Sequence, residues 1–452
     1  MVQALKQWLE SHSGWLLIFD NADDLATVQN YLPTGNTGHT MLTTRAQAMG
    51  GLARKIELDT MSPQEGATLL LRRASLIAPD AALESASPAD RVLAIDIVRA
   101  MDGLPLALDQ AGAYLEETSE SLSTYLSLYQ QQRAELLKRR GGLVPNHPDS
   151  VATTWSLAFE QVERANPAAI ELMRLCAFLS PDAIPEELIS EGAPHLGPVL
   201  QPVAADRLTL NAALAELLKY SLVRRDTTTH TLVIHRLVQA VIKDEMDEKM
   251  QRQWAEQAVQ AVDQIFPFEE PAPWSHSQRY LPHALVCEDL IKQWNITLDE
   301  ASTLLNNAGL YLRNRGQYRE AAPLLQHALS IQEKMYGRDH PNTDPFLNNL
   351  AVLYRNQGKY DEAAPLSLRA LAIKEKGLGP DHPETAKTLN NLAVLYDYQG
   401  KYTEAEPLSL RALAIIEKVF GPDHPSTKQV RANYSDLLQK MGQKTDVVDQ
   451  ED

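Results

Sequence analysis

Apolar residues follow a repeating pattern in the C-terminal part of the chain. The segment that begins with Asn348 recurs one copy earlier from Asn306 and one copy later from Asn390, each time 42 residues away. Inside a copy, small residues such as Ala351 and Ala363 alternate with large apolar ones at three-, four- and seven-residue spacings. This spacing is typical of two amphipathic helices that approach closely where the small residues meet. A fixed period of this length predicts an α-solenoid.

Glycine and proline mark the ends of these helices. Gly358 and Lys359 form the predicted turn between the two helices of one copy. Segments of the form G-x-D-H-P begin at Gly337, Gly379 and Gly421. Each is predicted to end a second helix, because glycine adopts the left-handed cap conformation and proline cannot continue the helix. A capping helix is predicted over 432–443, and an irregular helical pair over 251–294 precedes the repeats.

The first sixty residues alternate apolar runs with a helical pattern. The run Trp15 to Phe19 ends in Asp20 and is typical of a parallel strand buried on both faces. A helical pattern over 25–31 separates it from a second predicted strand over 39–44, which Arg45 follows. A strand-helix-strand crossover places Asp20 and Arg45 at the same carboxyl edge of the sheet, where α/β folds bind ligands.

Helical patterns dominate the chain from there to the repeats. A third strand is predicted over 55–58, and the segment 62–65 carries a capping box that begins a helix. Pro105, within G-L-P-L, begins another helix. Further on, two helices, a proline-rich loop over 191–206, a third helix and two short strands predict a winged helix over 151–247.

Composition narrows the possible partners. The chain has 452 residues and a formal net charge of -17, which disfavours nucleic acid and anionic membranes because phosphate binding needs clustered Lys and Arg. Its two cysteines, Cys176 and Cys287, fit a reducing cytoplasm. No apolar run near the start is long enough for a signal segment or a membrane span. No H-E-x-x-H, G-x-S-x-G or C-x-x-C pattern indicates hydrolase or zinc chemistry.

The repeat pattern resembles the tetratricopeptide repeat in the 42-residue form of kinesin light chains. This resemblance implies that one face of each first helix lines a concave groove that binds a protein or peptide. The predicted groove residues are Asn306, Arg313, Asn348, Arg355 and Asn390. The asparagines can hydrogen-bond an extended backbone and the arginines can bind acidic side chains. The alternatives are a solvated polar face, or asparagines that hold the neighbouring repeat.

The ordered motifs of the first half resemble the NB-ARC module of STAND ATPases. They are the apolar strand with Asp20, the sequence Thr43-Thr44-Arg45, the G-L-P-L of Pro105, and Ile234-His235-Arg236 in the predicted winged helix. The resemblance implies that Asp20 is the Walker B carboxylate for Mg²⁺ and that Arg45 senses the terminal phosphate. It also implies that Pro105 packs by adenine and that His235 contacts the phosphates of ADP. The implied cofactor is therefore ADP or ATP with Mg²⁺.

Three features depart from the NB-ARC pattern. No G-x-x-x-x-G-K-[ST] phosphate loop occurs in the chain, so we expect a version truncated at its N-terminus that is not an enzyme, with at most weak ATPase activity if a complete site is restored. Asn21 follows the aspartate where many relatives carry a second acid. Arg236 replaces the aspartate of the family's M-H-D motif.

The sequence thus predicts a multidomain, mostly α protein with a partial α/β nucleotide-binding fold, helical and winged-helix domains, and a tetratricopeptide solenoid. The predicted boundaries are 1–78, 79–150, 151–247, 248–301, 302–443 and an acidic tail over 444–452. The leading hypothesis is a cytoplasmic regulator, open to homo-oligomerisation, in which the repeats bind a protein partner and the nucleotide module relays the state. The alternatives are a nucleotide-independent interaction scaffold and, ranked last, an active ATPase.

Overall fold

The computed structural model describes residues 2–20, 22, 25–33, 37–44, 52–54, 56, 58–138, 150–266 and 274–448. The fold is mostly helical with two small sheets, and helical repeats form its C-terminal part, as the sequence predicted. The chain divides into two compact units, residues 1–258 and residues 259–452. The finer domain boundaries stay predictions.

The first unit begins with a small α/β part. Its elements are α1 (Val2–Ser11), β1 (Leu16–Phe19), α2 (Leu25–Gln29) and β2 (His39–Leu42). The strands pair in parallel, with Leu16 opposite His39 and Phe19 opposite Leu42, so the predicted strand-helix-strand crossover is confirmed.

Two predictions for this α/β part are wrong. The first strand is not buried on both faces, because Leu16, Ile18 and Met41 are 61%, 56% and 55% exposed. In the described part of the chain, no second layer packs on that face. The predicted third strand over 55–58 is not formed at Ile56 and Leu58, which have no regular structure and are exposed, while residues 55 and 57 lie outside the described residues.

Four helices form the next part of the first unit. They are α3 (Pro63–Arg73), α4 (Pro88–Ala100), α5 (Pro105–Thr118) and α6 (Leu122–Lys138). The predicted capping box is present, because Ser62 accepts from the Glu65 backbone while the Glu65 carboxylate accepts from the Ser62 backbone. Gly103 has a φ of +66°, and a Cβ there would lie 2.3 Å from the Met61 carbonyl oxygen. The turn before α5 therefore requires glycine.

The rest of the first unit joins helices to a three-stranded sheet. Its elements are α7 (Val151–Ala165), α8 (Pro167–Ala177), β3 (Ile184–Pro185), α9 (Glu186–Glu191), α10 (Gly197–Ala204), α11 (Arg207–Lys219), β4 (Val223–Asp226), β5 (Thr231–Ile234) and α12 (Arg236–Asp244). The sheet has the order β3-β5-β4 and is antiparallel. Leu172, Met173, Leu214 and Leu232 are fully buried in this part of the core.

The predicted proline-rich loop over 191–206 is wrong. It contains a 3-10 turn (Ala193–His195) and α10, whose second residue is Pro198. Proline is well placed in a first helical turn, where its missing N–H costs no hydrogen bond. Leu200 and Ala204 of α10 are buried, so packing stabilises this helix although its prolines predicted a loop.

The second unit is built from paired helices. The elements are α13 (Glu248–Ile265), which runs across the boundary of the two units, α14 (Trp274–Trp294), α15 (Asp299–Asn314), α16 (Tyr318–Tyr336), α17 (Asp344–Asn356), α18 (Tyr360–Leu378), α19 (Pro383–Tyr398), α20 (Tyr402–Phe420) and α21 (Pro425–Val448). Ala321, Ala363 and Ala405 occupy one repeat position and are fully buried. The predicted helical pair over 251–294 corresponds to α13 and α14. Helix α21 continues to Val448, into the segment predicted as an acidic tail over 444–452, which stays a prediction.

The repeat glycines correct the predicted cap geometry. Gly337, Gly379 and Gly421 have φ between +82° and +99° but ψ between 160° and 168°, which is not the left-handed helical conformation. Gly358, in the turn within a copy, has φ +74°. The prolines that follow the caps begin the next element, so G-x-D-H-P is both a stop and a start.

Ion pairs join successive second helices. Arg369 binds the Glu333 carboxylate at 2.6 Å and donates to the Arg338 carbonyl. Forty-two residues later, Arg411 binds Glu375 at 2.6 Å and donates to the Pro380 carbonyl. Repeats therefore interlock through charges as well as through apolar packing.

Candidate functional site

Asp20 and Thr43 meet at the carboxyl edge of the two-stranded sheet. Asp20 directly follows β1 and is exposed, and the Thr43 hydroxyl after β2 donates a hydrogen bond to its Oδ1 at 2.5 Å. The parallel pairing of the strands produces this meeting. Arg45 lies outside the described residues, so its predicted place beside Asp20 stays a prediction.

Pro105 and His235 begin two different helices. Pro105 is exposed at the first position of α5. His235 is the N-cap of α12, where its Nδ1 accepts a hydrogen bond from the Leu237 N–H at 3.2 Å. Because Nδ1 is the acceptor, the neutral ring carries its proton on Nε2.

The Nε2 atom of His235 faces a carboxylate. It lies 3.6 Å from Asp102 Oδ2 and makes no hydrogen bond with any described residue. Burial lowers the pKa of His235 below its usual 6.5, while the negative charge of Asp102 acts in the opposite direction. The imidazole is therefore held in its neutral form at neutral pH.

The nucleotide residues are not assembled into one site by the described contacts. None of those contacts joins Asp20 to Pro105 or His235. Asp20 alone fits a single carboxylate ligand of Mg²⁺, which takes one or two carboxylates plus phosphate oxygens. Among the described residues, no group of three or more His, Cys, Asp or Glu is placed to hold a metal ion. His235 fits a phosphate poorly in this arrangement, because its free donor already faces the Asp102 carboxylate.

Paired asparagines connect the first helices of successive repeats. Each second asparagine donates through Nδ2 to the Oδ1 of a first asparagine 43 residues earlier. The pairs are Asn349 to Asn306 at 2.9 Å, Asn391 to Asn348 at 3.2 Å, and Asn433 to Asn390 at 3.2 Å. We call these three bonds the asparagine rungs. They match the alternative in which the asparagines hold the neighbouring repeat.

The rungs still leave polar groups for a ligand. Asn348 and Asn390 use their carbonyl oxygens in the rungs, and their side-chain N–H groups have no partner in the described part of the chain. Asn391 keeps a free carbonyl oxygen on the same grounds, whereas Asn433 Oδ1 accepts from the Gln429 amide at 3.1 Å. Asn306 differs, because it is only 7% exposed and its N–H group already donates to Asn307 at 3.4 Å.

A cavity of about 530 Å³ lies against these rungs in the second unit. It is lined by Arg355, Asn356, Tyr360, Asn390, Asn391, Val394, Tyr398, Gln429 and Asn433. Of the predicted groove residues, Arg355 and Asn390 line this cavity, whereas Asn306, Arg313 and Asn348 do not. Tyr360 and Tyr398 stack with ring centroids 5.7 Å apart. The guanidinium of Arg355, the charged group of this lining, has no hydrogen bond or ion pair with a described residue.

Charge changes along one repeat position. Arg313 and Arg355 occupy it in the first two copies, and Asp397 occupies it in the third. Asp397 pairs at 2.7 Å with Lys440 of α21, which neutralises it, while Arg313 donates to Asn314 at 3.0 Å. Arg355 is therefore the cation best placed to bind a carboxylate of a ligand.

Sequence reasoning missed several residues of these sites. The sequence signal for Asp102 is its position directly before G-L-P-L. The second asparagine of each pair gave one too, since it recurs every 42 residues with the first. No sequence signal marked Tyr398, because the residue does not recur: other copies carry Asn356 and Lys440 at the same position.

Comparison with known proteins identifies the repeats. The tetratricopeptide repeat family model matches residues 299–376, 345–409 and 398–450. The C-terminal part of this chain is a tetratricopeptide repeat array. A second family model, described as a domain of unknown function (DUF7779), matches residues 160–251, which covers α8 to α12 and the sheet.

A curated relative resembles most of this chain. It is named nucleotide-binding leucine-rich repeat (NLR)-like protein, from Hyaloscypha variabilis, and is 28% identical over 369 residues. The match takes in 74% of this chain and 34% of the relative, so the chain spans about a third of that protein's length. The predicted resemblance to this kind of protein, with tetratricopeptide repeats at the C-terminus, is thereby confirmed.

Solved structures with tetratricopeptide-like repeats are also similar. One holds repeats assigned to a kinesin light chain of Podosopora anserina, with 22% identity, a TM-score of 0.34, and coverage of 44% of this chain and 89% of that one. Another is BtubC (BKLC) from P. vanneervenii, with 18% identity, a TM-score of 0.34, and coverage of 43% and 76%. Among the described helices, none is long and apolar enough to cross a membrane.

Proposed function

We propose that this chain is a STAND-type regulatory protein that binds an extended segment of a protein partner along the asparagine rungs. The observation that carries the proposal is the cavity in which free amide groups of the rungs lie beside the unpaired Arg355. Free donors and acceptors on adjacent helices match the alternating N–H and C=O groups of an extended backbone. Arg355 adds a preference for a carboxylate in the partner.

The test uses Arg355, because the asparagines also hold the repeats together. An array of extended peptides of about twelve residues is prepared in two sets, with either Asp and Glu or Lys at the same positions; each peptide spans about 40 Å. We expect the acidic set to bind and Arg355→Glu to abolish that binding. Arg319→Glu changes the net charge equally, on an exposed residue of α16 outside the cavity lining, and serves as the control.

Two results would contradict the groove proposal. One is equal binding of the acidic and basic sets, since a charge-reading site must discriminate between them. The other is an equal loss of binding in Arg355→Glu and Arg319→Glu, which would indicate a general effect of net charge.

We also propose that the first unit retains a weak site for ADP or ATP with Mg²⁺, through Asp20, Arg45, Pro105 and His235. The resemblance to an NLR-like protein and the exposed Asp20 carboxylate at the strand end support it. Calorimetric titration with ADP and Mg²⁺ should give binding that Asp20→Ala and His235→Ala each abolish. Absence of heat in the parent chain would favour the second candidate, a nucleotide-independent scaffold, which the array and its cavity support by themselves.

The proposed setting is the cytoplasm. Cys176 and Cys287 are free and buried, and burial raises the pKa of the Cys176 thiol to about 12. Thiols in this state suit a reducing compartment. Association of copies through the first unit is part of the same proposal and is tested by sedimentation with and without ADP.

A further inference from the structure

Asp102 and His235 connect two parts of the first unit that are far apart in sequence. Asp102 lies in the turn between α4 and α5, and His235 lies between β5 and α12. The turn has a conformation that few residues adopt, because Asp102 has φ +52° and Gly103 has φ +66°. It is held on its other side by the bond from the Met61 N–H to the Gly103 carbonyl at 2.9 Å.

The side chain of His235 is prepared for this contact. Its Nδ1 is engaged as the acceptor of the Leu237 N–H, so Nε2 carries the proton and faces Asp102 Oδ2 at 3.6 Å. Nε2 has no other partner among the described residues, and the histidine side chain is only 20% exposed. Trp155 of α7 lies beside the ring at a tilt of 47°, with centroids 6.2 Å apart. A small movement of the turn brings donor and acceptor to hydrogen-bond distance.

The neighbouring Arg236 does not compete for Asp102. Arg236 follows His235, yet its guanidinium lies 3.8 Å from Asp182 rather than at Asp102. Asp102 therefore has His235 as its partner across the joint, and an acidic side chain occupies the position from which an anion would approach the imidazole.

We propose that Asp102 and His235 form a latch that holds the turn before α5 against the start of α12, and that an anionic ligand must open this latch to reach His235. In this arrangement the chain supplies its own carboxylate to the histidine. The turn before α5 can then stay against the start of α12 without any bound anion. The latch goes beyond the proposed nucleotide site, because it exists whether or not nucleotide binds.

The test measures amide hydrogen exchange of the full chain. The effect of each substitution is measured in the segment on the other side of the contact. Asp102→Asn replaces a charged acceptor of the His235 N–H by a neutral one and should speed exchange over 235–240 by about threefold, the effect of weakening one half-exposed contact. His235→Asn keeps an oxygen that can cap α12 and should speed exchange over 101–104 instead. In the double variant, 235–240 should exchange as in Asp102→Asn and 101–104 as in His235→Asn, because both substitutions act on the same contact.

Asp96→Asn is the control for the loss of one negative charge. Its side chain is 43% exposed against 45% for Asp102, and its partner is Arg99 on the same helix. We expect wild-type exchange in this variant. The latch is overturned if Asp102→Asn leaves 235–240 at the wild-type rate, or if the effects of the two single variants multiply in the double variant.

Adding ADP with Mg²⁺ separates the latch from the proposed nucleotide site. If His235 binds ADP, the nucleotide should speed exchange over 101–104 in the wild type as His235→Asn does. No effect of ADP would contradict the proposed role of His235 in nucleotide binding, whereas the variants alone decide whether the latch exists.

Discussion

At the residue scale, the two adjacent asparagines of each copy have different tasks. The first gives its carbonyl oxygen to the following copy and the second gives an N–H to the preceding one. The amide groups that the rungs do not use are available to a ligand. Because each of these side chains is already held by its rung, it loses less entropy on binding.

Asn348→Ala should destabilise the array by about 1–2 kcal/mol, because the Asn391 amide then loses its half-buried partner. The measurement is the urea unfolding midpoint. Asn356→Ala is the matched control: Asn356 lies on the same helix α17, is exposed and has no described side-chain partner, so we expect a change within about 0.5 kcal/mol. Equal effects in the two variants would show that the rung contributes nothing to stability.

His235 should make the first unit less stable in acid. Its folded pKa is lowered by burial, so its contribution is complete above the ordinary value of 6.5 and is lost as the pH falls through the folded pKa. The urea midpoint of the first unit should drop between about pH 7.5 and pH 5, and His235→Asn should reduce that drop. If the drop is equally large in His235→Asn, the titrating group lies elsewhere.

At the scale of elements, α13 packs into the start of the array with a carboxyl group at the joint. Burial raises the pKa of Asp263 to about 7, and the charge of Glu300 on α15 adds to the effect. Gln260, one turn earlier on α13, donates to Glu300 at 3.1 Å, which places the two helices side by side. The joint therefore favours a protonated Asp263.

Asp263→Asn should stabilise the second unit at alkaline pH. A carboxyl group whose folded pKa is raised loses its favourable contribution as the pH increases from about 4 to 7, so the parent weakens over that range. We expect the variant to gain about 1 kcal/mol or more at pH 8 and little at pH 4, as measured by urea unfolding. Asp289→Asn, on an exposed position of α14, should change neither value.

Among the elements, some could be predicted from the sequence and others could not. The repeat helices and the capping box follow from local patterns, and the structure confirms them. Helix α10 was not predicted, because packing of Leu200 and Ala204 outweighs the local effect of two prolines. The exposure of Leu16 and Ile18 was not predictable either, because an apolar strand does not reveal whether anything covers it. The Asp102–His235 contact joins residues 133 positions apart, and no periodicity reports such a distance.

At the scale of the whole molecule, each of the two units has its own core. Leu108 of the first unit is fully buried and Leu437 of the second is 2% exposed. Calorimetry should therefore resolve two transitions. Leu437→Ala should lower one and Leu108→Ala the other, each by about 2–5 kcal/mol in unfolding free energy. A shift of both transitions by either variant would show that the cores unfold together.

The rungs span 43 residues while the repeat spans 42. Because each bond joins the first asparagine of one copy to the second asparagine of the next, the removal of one whole copy from the middle of the gene brings equivalent partners together again. Duplication has the same property. Unequal recombination between near-identical copies can thus lengthen or shorten the array without creating a mismatched rung. The length of the binding surface can therefore change readily during evolution.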